Sequence, residues 1–199
     1  MNLKEARDIV ISAVVLAIAF GIAFSGGLWG SASTDIVNNV LLALLAVSLS
    51  FILHELGHRT IAKKYGCFAE YQMWPFGLVI ALMVSFTGFV FAAPGAVVIH
   101  SKIDVWGNVT KLSRKSIGLI SLAGPAINLA LAGCFAAANL LLPLGVFAIG
   151  ITINLWLALF NILPVPPLDG SKIFFWDKRI WAGFFVAVVA LFALSIFYL

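Results

Sequence analysis

The sequence predicts an all-α polytopic membrane protein. About five spanning helices are expected, plus a membrane re-entrant or β-hairpin element after the first core helix. Three observations predict it. First, 63% of the 199 residues are hydrophobic and only 10% are charged, more apolar surface than a water-soluble domain of this length needs. Second, five apolar runs reach the ~20 residues that a helix needs to cross the hydrocarbon core. Third, the Lys and Arg residues fall where one topology collects all of them on one side of the membrane.

The runs are residues 9–29, 36–62, 116–142, 146–163 and 180–199. The first follows Lys4 and Arg7 and precedes Ser31-Ala32-Ser33, which together imitate a secretion signal. Its apolar stretch is longer than the usual core of such a signal, so a spanning helix is expected. The third and fourth runs form a hairpin through Leu-Leu-Pro-Leu-Gly. A sixth apolar stretch, residues 74–99, is long enough to cross but is interrupted by Pro75, Gly77, Gly88, Pro94 and Gly95.

The charges decide between crossing and returning. If residues 74–99 do not cross, all 12 Lys and Arg share one side with the N-terminus. The opposite loops then keep only Asp35 as a charge. If they cross, Lys102 and every later basic residue change sides, against the positive-inside bias. The stretch is therefore expected to dip in and return, or to lie along the interface; two short helices across 74–93 are the alternative. Irregular backbone at that depth survives only against protein or a wet cavity. The following residues, with β-branched runs and a Gly107-Asn108 turn, suggest an interfacial hairpin.

One membrane domain is expected over 1–199, with a three-helix core at 36–170. The re-entrant region is 74–110, and helices at 1–35 and 172–199 flank the core. Cys67 and Cys134 lie far apart and fit neither a disulfide framework nor a metal spacing. The net charge of +4 marks loops on one side of the membrane rather than a nucleic-acid partner.

Inside the second run stands His54-Glu55-Leu56-Gly57-His58. Ionisable groups are costly in a membrane helix and imply a site. Residues four apart on a helix lie about 40° apart, so His54 and His58 face the same way and can supply two ligands to Zn2+. Glu55 sits where it can reach an attacking water without being a ligand, as metal-assisted peptide hydrolysis requires. Gly57 lets another backbone come close. His54 precedes Lys63 by about 14 Å of helix rise, so the site lies below the surface that Lys63 and Lys64 reach.

Catalytic zinc sites commonly use three protein ligands and leave one position open. His100 is one candidate third ligand. Asp169 is the better one, because Pro164, Pro166 and Pro167 stop the preceding helix and let the chain fold back to the level of the histidines. Gly170 offers backbone freedom beside it. Asn161 can bond a substrate backbone, or bridge to a neighbouring helix. In Ala-Gly-Pro-Ala-Ile-Asn, residues 123–128, the small residues permit close helix packing and Asn128 can bridge helices.

With HELGH at 54–58, AGPAIN at 123–128 and NILPVPPLDG at 161–170, the chain resembles the site-2 protease family of intramembrane zinc metalloproteases, in its compact prokaryotic form. The resemblance implies cleavage of a peptide bond in or near a transmembrane segment of a membrane-protein substrate, with one Zn2+ per chain. It implies His54, His58 and Asp169 as metal ligands, Glu55 as catalytic base and Asn161 as a substrate-binding residue. Location in the cell membrane, with the active site toward the cytoplasmic side, follows from the same reading and the charges. A membrane-associated β element after the first core helix is also expected of the family. The 199 residues leave no room for the inserted peptide-binding or appended nucleotide-sensing domain of some relatives. A non-catalytic zinc-binding scaffold of the same fold is the competing reading; a metal transporter lacks its expected inverted repeat.

Overall fold

The computed structural model describes residues 3–29, 35–100 and 112–198. In chain order the elements are α1 (Leu3–Phe24), α2 (Ile36–Lys64), β1 (Phe68–Met73), α3 (Pro75–Ser85), β2 (Gly95–His100), α4 (Arg114–Leu141), α5 (Gly145–Asn161), α6 (Asp169–Trp176) and α7 (Lys178–Tyr198). Among the described residues α1, α2, α4 and α7 are each long and apolar enough to cross a membrane. Helix α5 has 17 residues, about 25 Å by helix rise.

The bundle is built around α2, which packs against α1, α4 and α5. Its exposed face is a stripe of Leu41, Leu45, Leu49, Ile52 and Leu56, the 3–4 residue spacing of one helix side. The opposite face is buried and holds Ala43, Val47, Ser50, His54 and His58. Apolar residues outward and polar residues inward is the pattern lipid selects, because the solvent is itself apolar and ionisable groups turn to the bundle interior. Leu16 and Phe20 of α1, Phe51 of α2, and Ile153 and Leu157 of α5 fill the core between these helices.

Helix α1 begins six residues before the expected start. The sequence reading took Lys4 and Arg7 as a flank, yet Glu5 and Asp8 are buried within the helix. Pairing allows it: Arg59 Nη1 donates to both oxygens of Glu5 at 3.2 Å, and Arg7 bonds Asp8. The Glu5–Arg59 contact joins the start of α1 to the end of α2, and His58 bonds a carbonyl near the start of α4. The basic ends of three long helices thus gather at one end of the bundle.

Of the expected hairpin over 96–111 only the first arm is described, as β2; its Gly107-Asn108 turn lies outside the described residues. A partner the sequence did not announce is β1, which pairs with β2 antiparallel, with Tyr71 opposite Val97. The alternation in Phe68-Ala-Glu-Tyr-Gln-Met73 was the missed signal; it buries Ala69 and Tyr71 on one face. Trp74 N donates to Pro94 O at 2.7 Å, so residues 75–93 leave and return at the same place. The outward leg is the single helix α3. Beyond its tip, Leu28 N donates to Phe86 O at 2.7 Å, at the far end of α1. The return leg is not helical, which sets aside two helices across 74–93.

The two edges of the sheet differ. Tyr71 N–H points away from β2 and donates to Glu5 Oε1 at 3.4 Å, so α1 blocks the outer edge of β1. Pairs alternate along an antiparallel ladder between bonded and non-bonded. With Tyr71 N–H turned outward, Tyr71–Val97 is a non-bonded pair, and the Val97 backbone N–H and C=O face the other edge. Among the described residues no strand occupies that edge.

Candidate metal centre

Helix α2 projects His54 and His58 to the same side, one turn apart. Prolines at 164, 166 and 167 follow the end of α5, and the chain turns back so that Asp169 starts α6. Trp181 of α7 steadies the turn, donating from its indole to the carbonyl of Ile162 at 2.8 Å. Gly170 is required here by closeness rather than by backbone freedom: its φ is not positive. A Cβ at 170 would run into the carbonyls of Ile162 and Leu163. The glycine lets α6 press against the end of α5 and delivers the carboxylate.

The three ligand atoms converge. His58 Nε2 lies 3.0 Å from Asp169 Oδ2, His54 Nε2 lies 3.6 Å from it, and the two Nε2 atoms are 3.0 Å apart. Two imidazole nitrogens and a carboxylate oxygen bound to one tetrahedral Zn2+ at about 2.0 Å would stand about 3.3 Å apart. The donor set and its spacing therefore fit zinc. Among the described residues this is the one group of His, Cys, Asp and Glu able to hold a metal ion. His100 closes β2, and its side chain lies outside what is described.

Each donor is held from behind. His58 Nδ1 donates to the Ile120 carbonyl at 2.8 Å. His54 Nδ1 donates to Asn128 Oδ1. These bonds occupy both Nδ1 atoms and turn both Nε2 lone pairs toward Asp169. Asn128 in turn donates to Asn154 Oδ1 at 2.9 Å, and Asn154 donates to Ser50 Oγ at 2.7 Å. All four side chains are buried. The sequence reading recognised Asn128 as a helix bridge but missed Asn154 and Ser50. Polar residues facing inward in apolar helices were the available signal. Because outer partners of this kind are worth 10–100-fold in metal affinity, Asn128→Leu is expected to weaken zinc binding by about that factor. Competition with a metal-indicator chelator measures it, and an unchanged dissociation constant contradicts the orienting role.

Asp169 divides its carboxylate. Oδ2 faces the imidazoles and Oδ1 accepts from Lys172 Nζ at 3.3 Å. Burial alone would raise its pKa, but His58, His54 and Lys172 around it hold the carboxyl well below the usual carboxylate range. The group stays an anion, as a metal ligand must be.

Glu55 lies one residue along from His54, on the wall of the cleft that also holds His54, His58 and Asp169. Its Oε2 is the one buried side-chain polar atom without a hydrogen-bond partner among the described residues. A carboxylate oxygen left unsatisfied in a dry site is costly unless a reactant is to occupy it. The cleft measures about 20 Å³, room for one water. Asn161 lines the same cleft and donates back to Leu157 O of its own helix at 2.9 Å. One N–H of its amide remains for another acceptor.

Gly57 and Gly124 set the helix spacing. A Cβ at 57 would meet Ile127 and the Ala123 carbonyl, which is the close backbone approach its sequence position suggested. A Cβ at Gly124 would press on the Nε2 atoms of both His54 and His58. The AGPAIN glycine therefore borders the metal position itself.

A protein of Methanocaldococcus jannaschii named "Putative zinc metalloprotease MJ0611" is 38% identical over 187 residues, 90% of this chain and 87% of the relative. This chain belongs to the site-2 protease family of zinc metalloproteases. A Bacillus subtilis protein named "Putative zinc metalloprotease YwhC" is 34% identical over 155 residues, 65% of this chain and 66% of the relative. A Mycobacterium tuberculosis protein named "Putative zinc metalloprotease Rip3" is 32% identical over 133 residues, covering 62% of this chain and 28% of the relative. No protein-family model matches the chain. No solved structure matches it either. Family membership makes zinc the metal of this chain, in agreement with the donor spacing.

Proposed function

We propose that this membrane protein is an intramembrane endopeptidase that hydrolyses a peptide bond in or near a transmembrane segment of another membrane protein. The observation that carries the reading is the convergence of His54, His58 and Asp169 at 3.0–3.6 Å inside helices whose outer faces are apolar. In this reading His54, His58 and Asp169 hold the zinc ion. Bound there, zinc polarises the scissile carbonyl and acidifies the attacking water.

The chain's own residues do the remaining work. Glu55 takes a proton from the water as the water oxygen bonds to the carbonyl carbon. It returns that proton to the amide nitrogen as the carbon–nitrogen bond breaks, and the remaining proton of the new carboxyl passes to the amine, leaving a carboxylate and an ammonium group. The free N–H of Asn161 bonds the substrate backbone. The unpartnered Glu55 oxygen supports the enzymatic reading over the scaffold, since a purely structural zinc site has no use for a base.

A helical substrate shields its amides within its own turns, so the bond to be cut must be presented unwound. The edge of β2 that no described strand occupies supplies a partner: Gly95, Ala96 and Val97 line the metal cleft, and the outward backbone groups of Val97 can pair with an extended segment. The basic helix ends gathered near the site support entry of water from the cytoplasmic side of the cell membrane.

The test uses purified protein in detergent with a panel of single-span substrates, and product ends mapped by mass spectrometry. Cleavage within or beside the span is expected, abolished by a zinc chelator and restored by added zinc. Failure of zinc-replete protein to cut any of them, or cuts indifferent to the span, overturns the reading.

A further inference from the structure

A second cavity, of about 150 Å³, lies between α1, α2 and the sheet. Ala6, Ile9, Val10, Ile52, Leu56 and Ala69 give it apolar walls, and the paired Glu5 and Arg59 also line it. Its inner wall includes Glu55 and Val97, and those two residues also line the metal cleft. The cavity and the cleft therefore share a partition formed by Glu55 and by the β2 residue whose backbone faces the edge that no described strand occupies.

We infer that this cavity is a specificity subsite that receives an apolar side chain of leucine or phenylalanine size, borne by the substrate residue paired opposite Val97. The inference rests on the proposed pairing of substrate with β2. Residues opposite one another in a sheet project to the same face, and Tyr71, paired with Val97, buries its side chain on the face toward α1, its hydroxyl bonding Ser12 at 2.8 Å. A substrate residue opposite Val97 therefore projects its side chain toward α1 and α2, past Glu55. An apolar cavity of about 150 Å³ accepts a benzene-sized group, so the space matches one branched or aromatic side chain. Of the charged groups lining it, Glu5 and Arg59 pair with each other and Glu55 is itself an acid, so an acidic side chain is disfavoured there.

Two measurements test it. In the first, a photoreactive diazirine analogue of leucine is placed at successive positions of a substrate span and irradiated with zinc-loaded Glu55→Gln protein; cross-links are mapped by mass spectrometry. One position near the scissile bond is expected to cross-link to Ala6, Val10, Ile52 or Leu56. Cross-links that avoid all of them at every position overturn the subsite. This readout does not need turnover, so a subsite that captures the span in a chain that never cleaves would refute the proposed function and leave the subsite standing.

In the second, substrates carrying Phe, Leu, Ala or Asp at the cross-linking position are compared. Phe and Leu are expected to exceed Asp at least tenfold in kcat/KM. Ala6→Phe or Ile52→Trp, each filling the cavity from its half-exposed side, should lower kcat/KM for the Phe substrate at least tenfold more than for the Ala substrate. An unaltered ratio in both folded variants overturns the assignment.

Discussion

Glu55→Gln is expected to bind one zinc per chain and to lose peptide-bond cleavage by roughly 10²–10⁴-fold, the usual contribution of a positioned acid–base group. That factor corresponds to about 3–5 kcal/mol of transition-state stabilisation. The substitution keeps the shape of the side chain and removes its ability to accept a proton at working pH. It touches none of the three converging donor atoms, so zinc content should be unchanged. Folding should not suffer either: Glu55 Oε2 is buried and has no hydrogen-bond partner among the described residues, so the exchange breaks none of the bonds described there. The measurements are zinc by atomic absorption, a thermal melt, and product formation under single-turnover conditions. Cleavage at the original rate would show that another group takes the proton. Loss of zinc together with activity would make Glu55 a ligand.

Gly124→Ala should abolish stoichiometric zinc binding with α4 still in place. One methyl group is added, yet it lands against both imidazole nitrogens that the fold aims at the metal. Those nitrogens must approach Zn2+ to about 2.0 Å, so the methyl and the metal compete for the space in front of them. His54 and His58 cannot simply turn aside, because Asn128 and the Ile120 carbonyl hold their other nitrogens. The expected loss of zinc affinity exceeds the 10–100-fold of losing one outer partner, and activity should fall with it. A Gly124→Ala protein that melts like the wild type and still carries one zinc per chain would disprove the crowding argument.

Much of this was legible in the residues. A His-Glu-x-x-His run inside an apolar helix is expensive in lipid, and the spacing alone puts both imidazoles on one side. The prolines after residue 163 announced a turn that could return a carboxylate, and the Lys and Arg pattern argued that residues 74–99 come back to where they start. Helix ends were less legible where a charge is neutralised by a distant partner. Glu5 reads as a solvated flank until Arg59, 54 residues away, is seen against it. Gly170 reads as a flexible residue until the Ile162 carbonyl is seen beside it.

What the sequence determined by itself is periodic and local: which segments are apolar enough for lipid, which face of α2 carries the histidines, and where helices must stop. These depend on spacing along one chain and on the cost of exposing polar groups to hydrocarbon, so they need no neighbours. Tertiary structure alone decided the strand partner of β2, the support of His54 by Asn128, Asn154 and Ser50, the role of Gly124 at the donor atoms, and the cavity sharing Glu55 with the metal cleft. Each is a contact between residues far apart in sequence. Many pairings satisfy the same periodicity, and only close packing of the whole bundle selects one of them.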